Sequence, residues 1–195
     1  MLTARAKKST IPLFRGAPYF LPTDWMKLNT DGASLGNPGV AGAGGIIRNC
    51  SGGWVKGFSR SVGFATSITV EFWALRDGLI LATQLGIQDI EVEHDAKIVV
   101  DLVQSNTVVN NSSLPLLNDC RSILISSFHQ VRVEHTFREA NRCVDALARI
   151  GCSLKEDFVV FDNPPSVEIE SYVTTDANGM YYGRLTTATL ATVAS

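Results

Sequence analysis

Long apolar runs are missing from this chain. No stretch approaches the roughly 18 residues that a bilayer-spanning helix needs, so no membrane segment is expected. Paired cysteines are missing too. Cys50, Cys120, Cys143 and Cys152 show no C-x-x-C spacing and join no Cys/His cluster. That argues against a structural zinc and predicts reduced, partly buried thiols in a reducing compartment. A basic excess is absent: 17 Lys and Arg face 19 Asp and Glu, for a net charge of −2. Contact with nucleic acid would have to come from a local patch. The segment "GAGGII" does not complete G-x-G-x-x-G and no helix follows it directly, so a dinucleotide-binding enzyme is a weak option.

The 195 residues, 45% apolar and 18% charged, suit one globular domain with modest tails. Residues 1–23 carry Arg5, Lys7, Lys8 and Arg15, no acid, and Pro12, Pro18 and Pro22. They are expected to form a disordered lead-in, with an organelle transit peptide as the lesser alternative. Residues 24–151 hold the periodic segments. "WMKLNTD" alternates as a strand, which the Gly/Pro cluster after Asp31 is expected to end. Strands over about 43–50 and 53–61 follow, joined at Ser51-Gly52-Gly53. "SITVEFWALRDGLILATQLGI" has helical spacing, with Ser67 or Thr69 as N-cap and Gly86 as stop. The strand "DIEVEHD", two helices, the strand "QVRVEHTF" and the helix "EANRCVDALARIG" complete the order. Three antiparallel strands followed by strand–helix alternation predict an α/β protein: a mixed five-stranded sheet with helices on both faces. Residues 152–195, with "FDNPPSVEIESY" and a Thr/Ala-rich end, are expected to be an extended tail with little stability of its own.

Four acids stand at element ends: Asp31, Glu71, Asp95 and Asp145. Each has a local explanation as a turn acid, helix-terminal charge, N-cap or solvated helix face. Together they have the makings of a two-metal phosphodiester site, where hard carboxylate oxygens hold divalent cations.

The segments "TDGASLGNPGVAGAGGII", "TSITVEFWAL", "EVEHDAK" and "REANRCVDALA" resemble type 1 ribonuclease H. The likeness is nearest to the plant ribonuclease H-like domains related to non-LTR retrotransposon reverse transcriptases, and it covers about residues 24–151. It implies the ribonuclease H-like fold and endonucleolytic cleavage of the RNA strand of RNA–DNA hybrids. It further implies two Mg²⁺ ions, or Mn²⁺ in their place, held by Asp31, Glu71, Asp95 and Asp145. No small-molecule cofactor is implied, and a monomer is expected. The resemblance marks Gly32, Ser34, Asn37, Thr66, Arg138 and Asn141 for nucleic-acid contact, Thr66 at a DNA-strand phosphate. Arg138 has a solvated surface charge as its alternative, and Asn141 and Arg138 have capping of the last helix as theirs. Gly32, Gly36 and Gly39 would let backbone approach the RNA closely. His135, a candidate catalytic residue, stands where some members carry a mobile histidine that moves protons. A structural histidine of the strand is the equal alternative.

Some features depart from the family pattern. The nine residues between the second and third helices include no Lys or Arg, whereas some members grip the hybrid with a basic protrusion there. Ile68 and Ala96 replace polar residues that relatives often carry. Lost phosphate contacts predict weak, salt-sensitive substrate binding. A catalytically weak or inactive nucleic-acid-binding domain derived from a retroelement is therefore the alternative function. Integrases, resolvases and exonucleases share the core topology and fit the order of the acids less well.

Overall fold

The computed structural model describes residues 12–15, 21–105, 113–177 and 180–182. Its elements are β1 (Pro12–Arg15), β2 (Trp25–Gly36), β3 (Gly39–Arg48), β4 (Trp54–Ala65), α1 (Ser67–Gln84), β5 (Asp89–His94), α2 (Lys97–Gln104), α3 (Leu114–Ser127), β6 (Gln130–His135), α4 (Arg142–Gly151), β7 (Phe158–Phe161), α5 (Val167–Ala177) and β8 (Met180–Tyr182). A 3-10 turn, Arg138–Ala140, precedes α4. Among the described residues no helix is long and apolar enough to cross a membrane.

The main sheet runs β6-β5-β2-β3-β4-β7. The β2–β3, β3–β4 and β4–β7 pairs are antiparallel, and the β2–β5 and β5–β6 pairs are parallel. Strand alternation sends adjacent residues to opposite faces. On β3, Ile47 joins Leu28, Phe58, Phe72, Leu75 and Leu79 in the larger core under α1. Its neighbour Ile46 joins Val144 and Leu147 of α4 in the core of the other face. This is an α/β fold with helices on both faces and six strands where the sequence suggested five.

The sixth strand comes from the segment expected to be a loose tail. Phe158–Phe161 adds to the edge of β4, and Phe158 stacks on Phe58 with ring centroids 5.5 Å apart. Then α5 docks against α4, burying Ile169 and Val173. Ser166 Oγ accepts the N–H of Ile169 at 3.2 Å and caps the helix. Arg48 of β3 anchors its far end, pairing with Asp176 at 3.2 Å and donating to the Val173 carbonyl at 3.1 Å. An extended tail therefore does not describe residues 152–177. Two buried apolar side chains one turn apart and one long-range ion pair order a segment too weakly patterned to be read from sequence. The Thr/Ala-rich end and most of residues 1–23 lie outside the described residues. Within them, β1 pairs antiparallel with β8 in a separate two-stranded sheet.

The seat of α4 on the sheet is unusually close. A Cβ at Gly44 would lie 2.6 Å from the Leu147 carbonyl carbon and closer still to Ala148 N, where ordinary contact begins at 3.4 Å. Glycine on β3 thus lets the helix backbone rest on the strand backbone, which fixes the height of Asp145 above the sheet.

Candidate active site

Asp31 lies in the middle of β2, not at its end: the strand continues to Gly36 before turning into β3. What ends at Asp31 is the neighbouring strand. The parallel β2–β5 register closes with Thr30 opposite His94, so β2 outruns β5 and Asp31 faces the notch this leaves. Asp95 follows β5 directly at the same notch. Ligand sites at the carboxyl ends of parallel strands are a general consequence of such chain layouts.

Glu71 enters from the first turns of α1. Thr66, not Ser67 or Thr69, is the N-cap: its Oγ1 accepts the Thr69 N–H at 3.3 Å. Glu71 Oε2 accepts the Gly32 N–H at 2.7 Å, locking helix to strand. Asp145 comes from α4, with Arg149 at 3.0 Å and Arg138 at 3.4 Å from its carboxylate oxygens. All four acids, with Gly32, Ser34, Leu35, Ser67, Arg138 and Arg149, line one open cleft of about 770 Å³.

The electrostatics of this cleft are those of crowded acids. The Asp31 carboxyl is pushed up to about 8, first by burial and then by repulsion from Asp95 and Asp145. Burial, then Asp31 and Asp95, drive Glu71 well above the usual carboxylate range. Burial raises Asp95 as well. Asp95 Oδ1 is buried and finds no hydrogen-bond partner among the described residues. Glu71, His94 and Asp95 each bring a potential ligand atom within 4.8 Å of the others. Buried hard oxygens, mutual repulsion and an unsatisfied carboxylate oxygen fit a divalent cation.

The other expected site residues divide. Ser34 lines the cleft and donates to the Gly36 and Ala65 carbonyls at 2.5 and 3.2 Å. Arg138 stands on its rim, two-thirds exposed. Thr66 and Asn37 do not line it: Thr66 caps α1, and Asn37 Oδ1 accepts the Ser67 N–H at 3.1 Å. Asn141 is buried and donates to the Thr30 carbonyl at 3.1 Å. It stands at the N-cap position of α4 and clamps the start of that helix to β2 through its side chain. His135 is exposed at the end of β6, where its Nε2 donates to the Asp95 carbonyl at 3.1 Å. The glycines have internal reasons. A Cβ at Gly32 would meet Val70 Cγ1 at 2.7 Å and Glu71 N at 2.8 Å. Gly36 has φ +121°, and a Cβ at Gly39 would strike the Leu35 carbonyl. Packing and turn geometry account for them without an approaching RNA strand.

Two residues of this site escaped sequence reading. Arg149 stands one helical turn after Asp145, an i,i+4 spacing that is visible in "DALAR". His94 is fully buried between Glu71 and Asp95, and burial holds its imidazole down at about 4. Its place beside Asp95 in "EHDA" is its one sequence signal.

Comparison with known proteins agrees with this geometry. The reverse transcriptase-like family model matches residues 29–151. An Arabidopsis thaliana protein that carries a provisional ribonuclease H name is 38% identical over 141 residues, which are 72% of this chain and 23% of that protein. Ribonuclease HI of Halobacterium salinarum is 32% identical over 118 residues, covering 60% of this chain and 59% of the archaeal one. The chain thus spans about a quarter and three fifths of the lengths of these two relatives. Among solved structures, RNase H1 of Halobacterium salinarum superimposes with a TM-score of 0.63 at 30% identity, over 66% of this chain and 98% of that one. LC11-RNase H1, solved in complex with an RNA/DNA hybrid, gives 0.62 at 25% identity, over 66% and 96%. Matched over more than half its length, the chain belongs to the reverse transcriptase-like family and carries the ribonuclease H fold.

Proposed function

We propose that the protein is a metal-dependent endonuclease that hydrolyses the RNA strand of RNA–DNA hybrids. The observation that carries this reading is the convergence of Asp31, Glu71, Asp95 and Asp145, from four separate elements, on one cleft. The hybrid-bound relative supports the choice of substrate. The four carboxylates would hold two Mg²⁺ ions, with Mn²⁺ as substitute. When bound, such ions lower the pKa of an attacking water and stabilise charge on the leaving oxygen.

The chain's own residues supply the rest. Burial keeps water from screening the carboxylates, so a bound cation would relieve their mutual repulsion. The Gly32 N–H holds Glu71 in place. Arg138 and Arg149, each paired with Asp145, stand at the rim where a phosphate arrives and can exchange the carboxylate for it. Ser34 lines the cleft and its hydroxyl oxygen could accept from a 2′-hydroxyl, the group that distinguishes RNA from DNA. His135 is held beside this site by its Nε2 contact with the Asp95 carbonyl, which leaves Nδ1 as the ring nitrogen that could take up or release a proton.

The test is direct. A labelled RNA–DNA hybrid is incubated with the protein and Mg²⁺, beside Asp31→Asn and Asp145→Asn. The parent cleaves the RNA strand and both variants do not. A folded parent that leaves the hybrid intact with Mg²⁺ and with Mn²⁺ at low salt overturns the proposal and supports a binding-only domain.

A further inference from the structure

His94 closes β5 with its side chain 1% exposed, and three polar groups face its ring, the most distant being Asp95 Oδ1 at 4.0 Å from Nδ1. The backbone N–H of Ala96 donates to Nδ1 at 3.1 Å. Nε2 faces Glu71 Oε2 at 3.6 Å. A backbone N–H can only donate, so Nδ1 presents its lone pair and carries no proton. The ring proton is on Nε2, and it is aimed at the carboxylate. For His94 to become a cation ligand through Nε2, that proton would have to move to Nδ1, where it would meet the Ala96 N–H head-on. The ring therefore sits among the acids as a donor.

We infer that His94 is a positioning residue for Glu71: its Nε2–H and the Gly32 N–H together engage Oε2 and turn Oε1 toward the cation site. The inference rests on the metal-dependent reading of the same cleft. Gly32 already bonds Oε2 at 2.7 Å. The His94 contact, at 3.6 Å, is beyond hydrogen-bond length. Active-site hydrogen bonds are often long in the free protein and tighten when ligands arrive. Donors that bond a metal-binding carboxylate orient it, and their loss typically weakens metal affinity 10- to 100-fold. Burial adds an incentive: Nε2 has no hydrogen-bond partner among the described residues, and closing on Glu71 satisfies it.

The experiment uses the full chain and two readouts that need no nucleic acid. The first is a long-range ¹H–¹⁵N spectrum of the His94 ring with and without Mg²⁺. Nε2 is expected to stay protonated in both. An Nε2 that loses its proton when Mg²⁺ is added would make His94 a ligand and overturn the inference. The second is Mn²⁺ affinity, measured by calorimetry for the parent and for H94L, H94N and H94Q. Gln places an amide near the Nε2 position, whereas Asn reaches only as far as Nδ1. Leu and Asn are expected to weaken Mn²⁺ binding about tenfold or more, and Gln to restore most of it. If Leu does not fold, the Asn–Gln pair decides alone. Equal affinity across the folded variants overturns the inference. A parent that binds Mn²⁺ in this pattern yet cleaves no hybrid would overturn the nuclease reading and leave the role of His94 intact.

Discussion

Replacing Gly44 by alanine tests how α4 brings Asp145 to the cleft. The new Cβ would lie 2.6 Å from the Leu147 carbonyl carbon, against 3.4 Å for ordinary contact, and nearer still to Ala148 N. Both obstacles are helix backbone, so no rotamer change relieves them, and the helix must retreat by roughly 1 Å because packed interiors have no slack. Overpacking of this kind costs about 1–3 kcal/mol, and backbone contact puts Gly44→Ala at the upper end. Asp145 stands within one turn of the contact and moves with it. A misplacement near 1 Å in a reacting constellation can cost about 100-fold in rate. The control is Gly63→Ala. Gly63 has φ +83° with nothing within 4 Å of its added Cβ, so only backbone strain is paid, about 1 kcal/mol, and cleavage is unchanged. Urea denaturation and single-turnover hybrid cleavage of both variants check this. A Gly44→Ala protein with parental stability and parental rate would show that α4 does not rest on β3 through this contact.

Three further outcomes follow from the same structure. Asp31 in the folded protein titrates at about 8, far above its value near 4 in an unfolded chain, so metal-free stability falls as the pH rises from about 4 to about 8 and levels off above that. Asp31→Asn should therefore raise the metal-free Tm at pH 8 while abolishing cleavage, at about 2–4 °C per kcal/mol; a Tm unchanged at pH 8 refutes it. Asp176→Ala strands the buried Arg48 guanidinium and should cost about 3–5 kcal/mol by denaturant unfolding, whereas Arg48→Met with Asp176→Leu recovers most of it. Arg138→Ala removes an exposed charge, so stability should change by less than about 0.5 kcal/mol, while hybrid affinity weakens and its log–log salt slope falls by about 1; a stability loss of several kcal/mol would contradict its rim position.

The four acids and the elements that carry them were legible because each lies in a strongly periodic segment and in a motif with a family likeness. What the strand pattern could not reveal was why Asp31 is open to the cleft. Its own strand runs on for five more residues, and the opening comes from the end of β5, a matter of register between residues 64 apart in the chain. Asn141 was read for nucleic-acid contact or for capping the last helix, and its burial at the start of α4 could not be seen because it depends on how α4 meets β2. The glycines after Asp31 read as room for RNA, and the fold adds an internal reason for them: α1 at Gly32 and the turn of the hairpin at Gly36 and Gly39 leave no space for a Cβ. His94 escaped notice because its tautomer and aim come from tertiary contacts with Ala96 and Glu71. β7 and α5 escaped for a similar reason: four residues of strand and two buried side chains carry too little local signal.

The match to the family ends at residue 151, but the sheet ends at Phe161. A protein cut at the family boundary would expose Gly57–Arg60 as a bare strand edge, with the amides and carbonyls that β7 now pairs left open to another chain. It would also uncover the apolar face around Ile46 and Val144 that α5 now shields. Residues 158–177 therefore act as an edge guard, and a shortened chain would favour self-association even with every acid of the cleft in place.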